Sequence, residues 1–160
     1  MREAMEDFRF YHLTRHPLEH ALPRFLEQVT GKAGLKVYLK CPDASSAETI
    51  DCLLWSYDPA SFLPHGRVGE GREADQPVLI GWDDRIPENG AQVLVLVEAA
   101  ALPDPETAGH FRRGAYLFDA NRPGMLEAAR AAWRAAADLA PVRSYWQQQE
   151  RGGWAEVREQ

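Results

Sequence analysis

The stretch 92-QVLVLVE-98 holds five consecutive valines and leucines between two polar residues, so it reads as a strand with no polar face. A half-exposed strand alternates apolar with polar side chains. An unbroken aliphatic run of this length belongs to a strand covered on both faces, the usual situation in a parallel sheet with helices above and below. The neighbouring segments agree. Phe8 to Thr14 is short, aromatic and strand-like, 35-LKVYLKCP-42 alternates and stops at Pro42, and 77-PVLIGW-82, 115-AYLFDA-120 and 142-VRSYW-146 are further strand candidates. Between them lie helical patterns. Pro17 opens one that carries Leu18, Ala21, Leu22, Phe25, Leu26 and Val29 at helical spacing, with Pro23 inside it and Gly31 and Gly34 at its close. The stretch 43-DASSAETIDCLLWS-56 starts with Asp and Ser capping candidates, among them Ser45 and Glu48 at capping-box spacing. A short helical piece is expected around Thr107 to Arg112. The long 123-PGMLEAARAAWRAAADLA-140 is Ala-rich and ends at Pro141. This alternation predicts an α/β fold, a Rossmann-like three-layer sandwich around a mostly parallel central sheet. One domain is expected over residues 1–160, with its core at about 8–146 and a polar C-terminal tail at about 147–160.

Composition narrows the functional classes. The chain has 45% hydrophobic and 26% charged residues, ordinary for a globular protein, and its formal net charge is −6. Extended contact with a duplex backbone calls for a basic surface, so direct nucleic-acid binding is not expected. Cys41 and Cys52 are the only cysteines and form no CxxC pair, which fits a reducing compartment. The N-terminal MREAMEDFRF has no apolar leader, and no run approaches the ~20 residues of a membrane helix. The reading is cytoplasmic, with no membrane partner.

The stretch 54-LWSYDPASFLPHGRVGEG-71 looks at first like an active-site loop. Its glycines, Gly66, Gly69 and Gly71, run opposite to the dinucleotide fingerprint, follow a helix rather than a strand, and have no GK[ST] nearby. No cofactor is expected there. His12, His16 and His20 are four apart, but Pro17 keeps His16 extended and no ligand cluster completes a metal site. An enzymatic reading would use His65 with Cys52, or the Asp83/Asp84 pair. A buried helical thiol and solvated strand ends are the simpler accounts of those residues.

Two surfaces remain. Arg130, Trp133 and Arg134 fall at i, i+3 and i+4 and share one helix face. Two guanidinium groups beside an indole suit an acidic peptide with an apolar anchor, and a solvated face with one half-buried Trp is the bland alternative. Between Arg122 and Arg143 four arginines oppose only Glu127 and Asp138. Ser144, Tyr145 and Trp146 are candidate walls for such a pocket. In the Pro-bounded stretch, Trp55, Tyr57, Phe62 and Leu63 either form a docking surface or fold back over the domain's own core. Residue types alone leave both readings open.

Taken together, FYHLTR, LW-x-YDP-x-SFLPHG, QPVLI, LFD, R-x-x-WR and YWQQ…GGW resemble the chi subunit of bacterial DNA polymerase III over roughly Phe8 to Trp154. The resemblance implies a non-catalytic adaptor with no cofactor or metal. Its partners would be the psi subunit, which leads to the clamp loader, and the acidic, phenylalanine-ended C-terminal tail of single-stranded-DNA-binding protein. A helicase is a further partner in some bacteria. By motif position the tail would meet Arg130, Trp133 and Arg134, where better-known relatives carry Tyr and Lys in place of this Trp and the second Arg. Psi, or another partner in its place, would meet Trp55, Ser61, Phe62, Pro64 and His65.

Overall fold

A computed structural model describes residues 5–151 and 153–157. In chain order the elements are β1 (Asp7–Leu13), α1 (Leu18–Glu27), β2 (Val37–Lys40), α2 (Ala44–Ser56), β3 (His65–Arg67), β4 (Val78–Gly81) and β5 (Val93–Leu96). They continue with α3 (Pro105–Ala108), β6 (Arg113–Asp119), α4 (Met125–Ala135), β7 (Val142–Gln148) and β8 (Trp154–Val157). All eight strands form one sheet in the order β3-β4-β2-β5-β6-β1-β7-β8. Every pairing is parallel except β7 with β8.

The apolar run that predicted a doubly covered strand is β5, and Val93 to Leu96 are all buried. Its alternate side chains enter two separate cores. Val93 and Val95 pack with Leu22, Leu26, Ala47, Ile50 and Leu54 from α1 and α2. Leu94 and Leu96 pack on the other side with Phe10, Tyr116, Phe118, Ala129 and Ala132, where α3 and α4 lie. The result is the three-layer α/β sandwich with a mostly parallel sheet that the alternation of elements implied. Among the described residues no helix is long and apolar enough to cross a membrane.

Local chemistry explains most boundaries and corrects some. Pro17 caps α1 with extended backbone, and Pro23 is accommodated inside the helix. The fully buried Leu22 and Leu26 hold α1 to the sheet, each stabilising by about 1.5–3 kcal/mol before entropy. A π-helical turn over Gln28–Lys32 follows, and the chain leaves through Gly34 at φ +67, a conformation suited to glycine. For α2 the cap is Asp43, which accepts a hydrogen bond from Ser46 N at 2.8 Å. This pulls the Asp43 carboxyl below its ordinary pKa. Ser45 and Glu48 therefore fall inside the helix rather than forming a capping box. Thr107 to Arg112 is not a helix throughout, since α3 ends at Ala108.

Two strands escape the sequence reading. His65–Arg67 is a short edge strand rather than loop. The expected polar tail is also ordered differently: β7 runs to Gln148 and Trp154–Val157 returns beside it as β8. Trp154 rests edge-on against Tyr11 with ring centroids 5.0 Å apart. This apolar anchor folds part of the region read as tail onto the sheet.

Candidate functional site

The helical trio stands over a cleft between α4 and the β1, β7 and β8 end of the sheet, with a volume of about 750 Å³. Ala129 and Ala132 seat α4 on the sheet, which leaves Arg130 and Arg134 exposed and Trp133 half-buried between them and the strands. The Trp133 ring meets Phe10 edge-on at 5.3 Å and Tyr145 at 6.3 Å, so the indole is braced from below. Arg143 on β7 completes the arrangement. Its guanidinium lies over the Trp133 ring at 4.5 Å, and Nη1 donates to the Trp133 carbonyl at 2.7 Å. That contact fixes the indole and adds a third cation to the cleft.

Neither Arg130 nor Arg134 forms an ion pair among the described residues. Inside the cleft, His12 Nδ1 and the Tyr145 hydroxyl are hydrogen-bonded. Burial holds His12 below its ordinary pKa, partly offset by Asp119. Burial raises Tyr145, with the Arg130 charge opposing. Both groups are thereby biased toward neutrality, so the charged side chains lining the cleft are Arg130, Arg134 and Arg143 against the one carboxylate of Glu156.

Strand alternation decides which β7 residues reach the cleft. Tyr145 pairs with Phe10 and faces α4, as does Arg143, while Ser144 lies at the border. Trp146, a candidate wall from sequence, points to the opposite face. It packs there with the α1-side core and donates from Nε1 to Ser144 Oγ at 2.8 Å.

The second surface sits at the β3 edge. Trp55 is 61% exposed at the end of α2 and Phe62 is 69% exposed in the loop that follows. Their rings lie 6.1 Å apart between centroids. The two even alternatives are thus divided residue by residue. Leu63 is buried in the core, while Phe62, Ser61 and Pro64 stay at the surface. Tyr57 is tied inward by its hydroxyl, which donates to Glu27 at 2.6 Å. Asp58 shapes the turn, accepting from Ala60 N at 2.9 Å and from the Ser61 hydroxyl at 3.2 Å.

His65 is buried rather than presented to a partner. Its ring lies tilted against Trp55 with centroids 4.7 Å apart, and its Nδ1 donates to the Leu63 carbonyl at 2.7 Å. Its Nε2 sits 3.1 Å from Asp51 Oδ1, a close contact without hydrogen-bond alignment. His65 therefore supports the exposed rings from beneath.

The enzymatic alternative finds no shared site. The His65 nitrogens face Leu63 and Asp51, whereas Cys52, expected as a buried helical thiol, is exposed on α2. Asp83 is held by Arg85 through two hydrogen bonds and receives the Tyr38 hydroxyl, and Asp84 pairs with the buried Lys40. Arg85 also keeps Asp83 below its usual pKa. His12 lies on β1 apart from the neighbouring rings of His16 and His20, and no group of three metal-ligating side chains occurs among the described residues.

The fold is an α/β sandwich with a mostly parallel sheet, and it presents a cationic, ring-floored cleft and a separate exposed aromatic corner. The family model for the DNA polymerase III chi subunit, HolC, matches residues 5–141, and the chain belongs to that family. A Pseudomonas aeruginosa protein named DNA polymerase III subunit chi is 31% identical over 109 residues, spanning 68% of this chain and 72% of the relative. An Escherichia coli protein of the same name is 31% identical over 64 residues, 40% of this chain and 44% of the relative. A Rickettsia prowazekii protein named probable DNA polymerase III subunit chi is 29% identical over 93 residues, covering 58% and 55%. The matched stretches thus span about half the length of the last two relatives.

Proposed function

We propose that this chain is a non-catalytic adaptor of the DNA polymerase III holoenzyme. In this reading the α4 cleft holds the acidic C-terminal tail of single-stranded-DNA-binding protein. The Trp55–Phe62 corner docks psi, or an equivalent partner such as a helicase, and so connects to the clamp loader.

The observation that carries the reading is the cleft itself. Arg130, Arg134 and Arg143 surround a braced indole, and no carboxylate of the described chain pairs with the first two. An acidic peptide ending in an aromatic residue satisfies both features: carboxylates meet the guanidinium forks, and the terminal ring packs against Trp133. Micromolar affinity, on the order of −8 kcal/mol, suits a contact that must exchange. Because the pairs lie at the surface, salt weakens them.

Titration of a fluorescent acidic tail peptide, followed by anisotropy, tests the assignment. Arg134→Ala is expected to weaken binding roughly tenfold, the loss of one charge-assisted hydrogen bond. Affinity unchanged by Arg134→Ala and by Trp133→Ala would remove the cleft from the reading.

A further inference from the structure

His16 and His20 belong to neither of these surfaces. They border a second cavity, of about 580 Å³, on the α1 side of the sheet and therefore behind the α4 cleft. Its floor is built from alternate residues of β1 and β6, and its walls from α1 and the start of β8. Five of its lining residues are basic side chains and none is acidic.

The local charge is poorly neutralised. Arg9 and Arg113 share a single carboxylate, Asp7, at 3.2 and 2.7 Å. Arg24 makes no ion pair among the described residues. The His16 and His20 rings lie 4.4 Å apart between centroids, at the same end as Arg24. Desolvation, then the charges of His16 and Arg24, hold His20 below its ordinary pKa. His20 is thereby biased toward its neutral form, so the uncompensated charge around the open volume is that of Arg24 and of the Arg9–Arg113 pair that shares one carboxylate, and an anion relieves it.

The remaining wall is aromatic. Tyr11 meets Phe25 edge-on at 5.0 Å and Trp154 edge-on at 5.0 Å, so three rings line one side of the cavity. Arg9 is held over the Trp146 ring at 5.1 Å. A flat, π-rich group fits against such a wall while an attached anion reaches the cations. The volume lies within the roughly 300–1,000 Å³ typical of small-molecule sites.

We propose that this cavity binds a nucleotide, with the base against the Tyr11–Phe25–Trp154 wall and the phosphate at Arg24, His20 and His16. The ligand is either a free mononucleotide or the 5′-phosphorylated end of a strand, since both present the same base and phosphate. The site differs from a glycine-loop nucleotide site in using side chains on the sheet face. It needs no extended basic surface and is compatible with a net charge of −6.

The test titrates the full chain with thymidine 5′-monophosphate, with a 5′-phosphorylated oligothymidine, with thymidine and with inorganic phosphate. Binding is read by calorimetry and by the Trp154 indole N–H resonance, assigned through Trp154→Phe. The expected result is that one or both phosphorylated nucleotide probes shift the Trp154 signal. Thymidine and inorganic phosphate should each bind at least roughly tenfold more weakly. Arg24→Glu and His20→Ala, both at exposed positions, should weaken nucleotide binding about tenfold while leaving the melting temperature unchanged. Binding by the mononucleotide assigns a free ligand, and binding by the oligonucleotide alone assigns a strand end. No response to either probe, equal affinity for inorganic phosphate, or full affinity in Arg24→Glu overturns the proposal.

Discussion

Replacing Phe62 and Leu63 separately by alanine should have sharply different consequences although the residues are adjacent. Leu63 is 2% exposed and packs into the core with α1 and α2. Truncating a leucine in such a setting costs about 2–5 kcal/mol, through lost transfer energy and the cavity left behind. For a domain of this size each kcal/mol lowers the melting temperature by roughly 2–4 °C. Leu63→Ala should therefore melt roughly 5–15 °C below the parent chain. Phe62 is 69% exposed, and its one ring neighbour is Trp55 at 6.1 Å. Its loss should cost less than about 1 kcal/mol, a shift of no more than ~4 °C. Thermal unfolding by circular dichroism gives both midpoints, and a pull-down from lysate asks whether Phe62→Ala still captures the partners of the parent chain. A comparable drop in melting temperature for both variants would mean that Phe62 also caps the core. That result would refute the division of this loop into a buried anchor and a presented ring.

Two further outcomes follow from groups whose titration the fold controls. Burial pushes the Cys41 thiol up to about 12, whereas Cys52 is exposed, so iodoacetamide at mildly alkaline pH should add one label to the native chain and two after denaturation, as counted by mass spectrometry. His12 is depressed from an ordinary 6.5, so the unfolded chain binds its proton first; the stability this contributes is complete above that value and is lost as pH falls toward the folded-state pKa. Urea unfolding between pH 8 and pH 5 should show a smaller acid loss for His12→Gln than for the parent chain, and equal losses would contradict the burial of this ring.

What sequence reading recovered depends on whether a signal was local. The Val/Leu run of β5 carried enough side-chain information to establish a doubly covered sheet, because burial on two faces leaves no position for a polar residue. The trio on α4 was legible because three residues within five positions share a helix face whatever lies beneath. Strand β3 was not legible: three residues, one of them glycine, have no periodicity. His65 is buried through its contacts with Leu63 and Asp51 and the ring of Trp55. Strand β8 was hidden by its polar setting, since Trp154 reaches its partner Tyr11 only across the completed sheet. Arg143 was counted as charge but not placed, because its position over Trp133 depends on which face of β7 its side chain takes. The same alternation removed Trp146 from the cleft that Tyr145 lines.

For the adaptor role proposed above, the strand order has a consequence. The exposed corner lies at β3, the outermost strand on one side, whereas the arginine cleft stands over β1 and β7, five to six strands away. At about 4.8 Å per strand, they are separated by roughly 25–30 Å of continuously hydrogen-bonded sheet. Such a span is stiff. The spacing of two partners held at its ends would be set by backbone geometry rather than by a linker. The chain would then act as a fixed-length strut, so grip at one end need not change when the other is filled.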